Sequence, residues 1–195
     1  MRNVLILGAT GSLARVAIDR FLKETDATLT LFARHTRTLK NVDTSRARIV
    51  EGDVLDPVAL KKAMAGQDVV YANLSGDLER MAKTIVTAMN ETGLRRLIFI
   101  SSMGIYDEVP GQKYRSVLDP YRDAARVVEA SGLDYTILRP AWFTDADEID
   151  YETTQKGEPF KGGVVSRKSL ADLIVKLAES PDLEVRRSVG VSKPE

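Results

Sequence analysis

Short aliphatic runs alternate along the chain with longer stretches of mixed polarity. The runs have the length and character of buried strands, and they are Val4–Leu7, Leu29–Ala33, Arg48–Glu51, Val69–Asn73, Leu97–Ser101 and Tyr135–Leu138. Strands of this kind separated by helical stretches are typical of strand–helix–strand units in a parallel sheet. The pattern therefore predicts one doubly wound α/β domain over residues 1–195, with helices on both faces of the sheet.

Two of the intervening stretches have clear helical periodicity. The first ends at Thr92-Gly93, where a glycine cap is expected, and the second ends at Ser180-Pro181. The apolar stripes consist of Leu78, Met81, Ala82, Ile85 and Met89 in the first helix, and of Leu170, Leu173, Ile174 and Leu177 in the second. Each stripe predicts a helix that packs one face on the sheet.

Three segments carry weaker signals. Ser188–Ser192 predicts a last edge strand. Gly104–Asp119 and Thr144–Gly163 follow the fifth and sixth strands without clear periodicity, so we expect loops there. Loops at the carboxyl ends of parallel strands border the ligand crevice. The acidic start of the second segment is expected to be solvated.

The amino-acid composition argues against several kinds of functional site and binding partner. The 195 residues are 44% hydrophobic and 29% charged, enough for a buried core. Lys plus Arg and Asp plus Glu both number 28, so the basic excess of a nucleic-acid-binding protein is missing. With no cysteine and one histidine, His35, we expect no metal site. The apolar runs are too short for a signal sequence or a membrane helix, so we expect no membrane partner and a soluble, cytoplasmic protein.

A glycine-containing turn, Gly8-Ala-Thr-Gly11-Ser-Leu-Ala14, follows the first strand directly and opens a helix. Gly8 permits the tight turn, Gly11 lets the backbone approach a pyrophosphate, and a small residue at position 14 lets helix and strand pack closely. Free amides at the helix start then face the anion, helped by the helix dipole. This context favours a phosphate site over a purely structural turn. The candidate residues are Gly8, Thr10, Gly11, Ser12, Leu13 and Ala14.

The end of the second strand distinguishes NADP from NAD. An NAD-binding fold carries an acid about 20 residues past the glycine loop, where it holds the ribose 2′-hydroxyl. Arg34 stands at this place, and Arg37 is near enough to be a second cation. A guanidinium binds a 2′-phosphate through charge-assisted hydrogen bonds, so NADP is favoured. The alternative is an exposed basic strand end without a ligand, and we assign no chemistry to His35.

Two further strand ends border the predicted crevice. Asp53 and Val54 follow the third strand, where the carboxylate can accept from an adenine amine and the backbone can read the ring. The alternative for Asp53 is a turn-forming role. Asn73 and Ser75 follow the fourth strand at the switch point of the sheet, where small polar residues leave room for ribose and diphosphate. The alternative for them is again a structural turn.

Several motifs together carry a family resemblance: the glycine loop, Gly52-Asp53, Ile100-Ser-Ser102, the segment 131–142 with Arg139-Pro140, and Val165-Ser-Arg167. With them the chain resembles the NmrA-like, NAD(P)-binding branch of the atypical short-chain dehydrogenase/reductase superfamily, over nearly its whole length. The resemblance implies a Rossmann-like fold, for which we predict the strand order 3-2-1-4-5-6. It also implies a nicotinamide near Ser102 and near Pro140–Phe143.

The chain departs from the superfamily in its catalytic residues. Oxidoreductases of the superfamily use a Tyr-x-x-x-Lys pair with a serine from the fifth strand, yet none of the six tyrosines here has a lysine four residues on. Tyr121 lies at about the right place, but Arg126 is five residues on and about 140° around the helix. Ser102 and Tyr121 are therefore the candidate catalytic residues. The alternatives are a strand-end cap for Ser102 and a half-buried helix aromatic for Tyr121.

Two functions from different classes are compatible with these features. The first is an NADP(H)-dependent oxidoreductase that transfers hydride to a small-molecule acceptor, namely a small carbonyl, a quinone or a flavin. A flavin needs little help from a protein proton donor, which agrees with the missing lysine. The alternative is a non-enzymatic NADP(H) sensor that signals to a protein partner. A nucleotide-sugar epimerase is disfavoured, because the 55 residues after Pro140 are too few for the usual sugar-binding domain.

Overall fold

The computed structural model describes residues 1–194. Its strands are β1 (Asn3–Leu7), β2 (Thr28–Ala33), β3 (Ala47–Glu51), β4 (Val69–Ala72), β5 (Arg96–Ile100), β6 (Asp134–Pro140), β7 (Trp142–Thr144), β8 (Glu152–Gln155), β9 (Val164–Ser166) and β10 (Arg187–Ser192). Its helices are α1 (Ser12–Glu24), α2 (Pro57–Met64), α3 (Leu78–Thr92), α4 (Asp119–Glu129) and α5 (Arg167–Glu179), with short 3₁₀ turns at Arg37–Leu39 and Ser116–Leu118. Within this part of the chain, no helix combines the length and apolar character needed to cross a bilayer.

Eight strands form one sheet in the order β3-β2-β1-β4-β5-β6-β10-β8. All neighbours are parallel except β8, which runs antiparallel to β10. The first six positions confirm the predicted order 3-2-1-4-5-6 and the doubly wound α/β class. The order reverses between β1 and β4, so the carboxyl ends of these strands flank the crevice where open α/β sheets bind ligands.

Buried aliphatic side chains cover both faces of the sheet. α1 and α5 pack together on one face, and α2, α3 and α4 cover the other. Because successive strand residues point to opposite faces, β1 places Ile6 in the first layer and Leu5 in the second. Burial on both sides is why the central strands are continuous apolar runs. The two predicted helix stripes are confirmed as α3 and α5, and Gly93 caps α3 with φ of 75°.

Two predictions for the last third of the chain are wrong. The strand predicted at Ser188–Ser192 forms, but it is an interior strand because β8 pairs along its outer side. The segment Thr144–Gly163, predicted as a loop, contains β8, and the flanking β7 and β9 form a separate two-stranded parallel sheet. These three strands have only three or four residues each, which is too short to show a period.

Candidate functional site

The turn after β1 brings the backbone of the first strand against the end of β4. Gly8 has φ of +78°, and a Cβ at this position would lie 2.0 Å from the carbonyl oxygen of Asn73. A Cβ on Gly11 would lie 2.3 Å from Asn73 Nδ2. Both positions therefore exclude a side chain, and Gly8 also adopts a backbone conformation that suits only glycine.

Helix α1 begins at Ser12 with free amides. Gly11 is its N-cap, and no side chain caps the first turn. The side chains of Leu13 and Ala14 are buried in the core, so only the backbone amides of these two residues can face a ligand at the helix start. Ser12 is exposed, and its Oγ accepts a hydrogen bond of 3.2 Å from Arg167 Nε. Unpaired amides at the positive end of a helix dipole suit a phosphate group.

A cavity of about 190 Å³ opens along the carboxyl ends of β1, β2, β3 and β4, and we call it the nucleotide cavity. Eight predicted cofactor residues line it: Gly8, Thr10, Gly11, Arg34, Asp53, Val54, Asn73 and Ser75. The other five do not line it: Ser12, Leu13, Ala14, Arg37 and Pro140. The structure thus brings together residues from four strand ends that are up to 67 positions apart (8 to 75) in the chain.

Phe32 and Asp53 both line this cavity, and only Asp53 was predicted to do so. Phe32 lines the cavity and was missed by sequence reasoning; a Cβ on Gly52 would lie 2.5 Å from its Cζ. The signal for this contact was the glycine after β3, beside an aromatic on β2. Asp53 Oδ1 accepts a hydrogen bond of 2.9 Å from the Leu55 amide, so Asp53 forms a turn while it also lines the cavity.

Two free guanidinium groups lie at the end of β2. Arg34 and Arg37 are exposed, and neither is in an ion pair with any residue from 1 to 194. Glu51 lies opposite Ala33 in the β2–β3 register, but its carboxylate accepts a 2.9 Å hydrogen bond from Thr36 Oγ1. Arg34 therefore keeps its donors for a ligand anion, for which the planar fork of a guanidinium is well suited.

A second cavity, of about 110 Å³, lies at the ends of β5 and β6 on the same edge of the sheet; we call it the acceptor cavity. Ser102 and Pro140 line it together with Trp142, whose side chain is 68% exposed. Much of the segment from Gly104 to Leu118 forms the opposite wall. Of the residues that the resemblance places near a nicotinamide, Ser102 and Pro140–Trp142 thus share one cavity, and Phe143 does not line it. Ser102 Oγ donates to the Met103 carbonyl at 3.1 Å.

The structure does not bring Tyr121 to either cavity. Tyr121 lies in α4, half-buried against the core layer of α3 and α4, and it is absent from both linings. Tyr114 lines the acceptor cavity instead, and its hydroxyl donates to Asp119 Oδ1 at 2.7 Å. Loss of solvent, and then this hydrogen bond, raise the pKa of Tyr114 above its ordinary value, which makes it a weak acid. Sequence reasoning missed Tyr114 because only a lysine four residues on was sought.

Comparison with known proteins identifies the class of this site. Residues 8–181 match the model of a family described as NAD(P)H-binding. A Rossmann-fold NAD(P)-binding family protein from Shigella flexneri is 46% identical, with a TM-score of 0.89 over 100% of this chain and 94% of that one. A short-chain dehydrogenase/reductase from Veillonella parvula, solved in complex with NADP, is 28% identical, with a TM-score of 0.91 over 99% of this chain and 95% of that one.

The curated relatives carry more varied names. The "uncharacterized sugar epimerase YhfK" of Bacillus subtilis is 24% identical, over 94% of this chain and 91% of its own length. The chain also matches several plant reductases, of which it spans about half the length. Together with the family match, these similarities confirm the resemblance to the atypical short-chain dehydrogenase/reductase superfamily.

We expect Gly11→Val to weaken NADPH binding about 100-fold or more, because a branched side chain collides with Asn73 Nδ2 and displaces the turn that must approach the phosphate group. The matched control is Gly163→Val, since nothing lies within 4 Å of a Cβ at Gly163. Calorimetry on samples with native circular dichroism measures both affinities. Native affinity in folded Gly11→Val would place the phosphate site elsewhere.

Proposed function

Because the chain belongs to this NAD(P)H-binding family, we propose that it is an NADP(H)-dependent oxidoreductase of the atypical short-chain type. NADPH, when bound, supplies a hydride for reduction. The chain's own residues bind the cofactor in the nucleotide cavity and hold a small carbonyl, quinone or flavin acceptor in the acceptor cavity.

One observation carries this proposal. The two cavities lie on the same edge of the sheet, one at the ends of β1 to β4 and the other at the ends of β5 and β6. The first has the features that a dinucleotide requires: a tight glycine turn packed on Asn73, with no room for a Cβ, and free amides at the start of α1. The second offers space beside Ser102, Pro140 and Trp142 for a further small molecule.

The preference for NADP over NAD rests on Arg34. Its guanidinium is exposed and unpaired within residues 1–194, in the lining of the nucleotide cavity. An acid at this strand end would bind a ribose 2′-hydroxyl and repel a 2′-phosphate, whereas arginine does the opposite. The NADP bound to the Veillonella parvula structure supports the same cofactor for this chain.

The side chains around the acceptor cavity indicate what kind of acceptor it holds. No Tyr-x-x-x-Lys pair is present in the sequence, and the raised pKa of Tyr114 makes it a poor proton donor. Reaction then depends mainly on proximity and orientation, which can contribute several kcal/mol. Lys113 and Arg115 line the cavity without ion pairs within residues 1–194, and Asp107 is the one acid in the lining. This arrangement favours a quinone or flavin over an aldehyde, and an acceptor with a negative charge over a neutral one.

A sensor of NADP(H) is the second candidate function. The observation in its favour is the position of Tyr121, which leaves no strong general acid at the acceptor cavity. In a sensor the same residues bind the nucleotide, and a protein partner reads its redox state. The two functions differ in turnover, since a sensor leaves bound NADPH intact.

We expect Arg34→Asp to remove or reverse the preference for NADPH over NADH. In the native protein, NADPH should bind more tightly than NADH by about 1.5–3 kcal/mol, the range for a charge-assisted hydrogen bond. Arg187→Asp is the matched control, because Arg187 is also exposed and without an ion pair within residues 1–194, and it lies at the amino end of β10, away from the nucleotide cavity. Calorimetric titration with both nucleotides gives the answer. Equal affinities in the native protein would contradict the assignment of Arg34.

We expect native protein to oxidise NADPH with at least one acceptor from a panel of flavins, quinones and aldehydes. Tyr121→Phe should lower the single-turnover rate about tenfold or less, because Tyr121 lies outside the acceptor cavity. A weak acid also contributes little of the 10²–10⁴-fold rate increase that general acid catalysis usually gives. Trp142→Ala should lower it more, by loosening the wall that positions the acceptor. A thousandfold loss in Tyr121→Phe would show that Tyr121 is a true proton donor. Binding of NADPH without oxidation by any acceptor would favour the sensor.

A further inference from the structure

A buried ion pair, Glu108–Arg139, connects the two walls of the acceptor cavity. The Arg139 side chain is fully buried, and that of Glu108 is 5% exposed. Arg139 directly precedes Pro140, which lines one wall, while Glu108 lies in the segment that forms the other. The proposed chemistry uses neither residue, although Arg139 belongs to one of the motifs that carry the family resemblance.

The guanidinium of Arg139 is held on every side. Its Nη1 pairs with Glu108 Oε1, its Nε donates to Ser188 Oγ at 3.1 Å, and its Nη2 donates to the Ser188 carbonyl at 3.2 Å. The rings of Tyr106 and Phe160 lie 5.2 and 6.0 Å from its central carbon. These contacts hold the positively charged guanidinium of Arg139 at one position between β6 and β10.

The carboxylate of Glu108 in turn holds the backbone of the loop. Its Oε1 accepts from the Gly104 amide at 3.0 Å, and its Oε2 accepts from the Tyr106 amide at 2.8 Å. The main-chain carbonyl of Glu108 accepts from the Phe160 amide at 2.8 Å. One carboxylate thus connects the start of the cavity wall to the arginine that precedes Pro140.

Net stability does not explain such a pair. The cost of desolvating two charges offsets most of their attraction, so apolar side chains of similar size often stabilise a fold equally well. What apolar side chains cannot do is accept two backbone amides and a guanidinium at fixed positions. The arrangement specifies geometry, and the geometry it specifies is the separation of the two walls.

We propose that Glu108 and Arg139 are positioning residues that set the width of the acceptor cavity and so determine which acceptors fit it. This inference rests on the proposed function, because it assumes that the acceptor binds there. The pair acts on the acceptor through the loop and through Pro140, and it leaves the nucleotide cavity unaffected.

We expect Glu108→Gln to raise the KM for the acceptor about tenfold with kcat changed less than about twofold, which is the signature of lost positioning in binding. The acceptor is FMN or menadione, whichever native protein turns over faster, and the affinity for NADPH should change much less than the KM, because the nucleotide cavity is not altered. Asp172→Asn is the matched control, because it breaks another largely buried pair, Arg20–Asp172 at 2.6 Å, between α1 and α5. A native KM in Glu108→Gln, or an equal rise in Asp172→Asn, would overturn the inference.

Two readouts separate this inference from the proposed function. Trp142 is the single tryptophan and lines the acceptor cavity, so quenching of its fluorescence by FMN or menadione measures binding without turnover. Hydrogen exchange over residues 104–118 needs no acceptor at all. Exchange should be faster in Glu108→Gln and native in Asp172→Asn, and unchanged exchange in Glu108→Gln would contradict the role of the pair. Failure of native protein to oxidise NADPH would count against the proposed function alone.

If Glu108→Gln does not fold, the double variant Glu108→Met/Arg139→Met tests the same point. Methionine fills a similar volume and leaves no buried charge unpaired, so the fold should persist. The amides of Gly104 and Tyr106 then lose their acceptor, and faster exchange of the loop is again expected. Native exchange in the double variant would show that packing alone sets the cavity.

Discussion

Asn73 fills the space that side chains at positions 8 and 11 would need, and this contact sets the geometry of the nucleotide-binding edge. It brings the end of β1 against the end of β4, at the point where the strand order reverses. With the backbone held there, α1 starts at the crevice and directs its free amides into it. This close approach helps to shape the nucleotide cavity, and the acceptor cavity lies farther along the same edge.

Arg34 differs from the basic residues at the start of α5, which are held in ion pairs. The acidic segment after β7 is neutralised by Arg167 and Lys168 at the start of α5, which pair with Asp145 and Asp147 at 2.7 and 2.5 Å. Arg34, in contrast, has no carboxylate partner within residues 1–194. A charge left free beside a phosphate-binding turn is available to a ligand, whereas a paired one is already satisfied.

The parts of the structure that local pattern determines were predictable, and the parts set by distant contacts were not. Continuous apolar runs predicted β1 to β6, and the context of the glycine loop predicted α1, because strand burial and helix starts depend on neighbouring residues. The direction in which Tyr121 points depends on how α4 packs, which no local pattern shows. Likewise Arg139 was recognised as part of a motif, but its partner Glu108 is 31 residues away. The strands β7 to β9 are too short to show an alternation of hydrophobic and polar residues in the sequence.

We propose that NADPH binds along this edge, with its 2′-phosphate at Arg34 and its nicotinamide at the acceptor cavity. A crystal structure of the protein grown with NADP tests it most directly. We expect density for the 2′-phosphate within hydrogen-bond distance of the Arg34 guanidinium, and for the nicotinamide ring between Ser102 and Trp142. A nicotinamide that lies outside the acceptor cavity, or a 2′-phosphate without contact to Arg34, would contradict it.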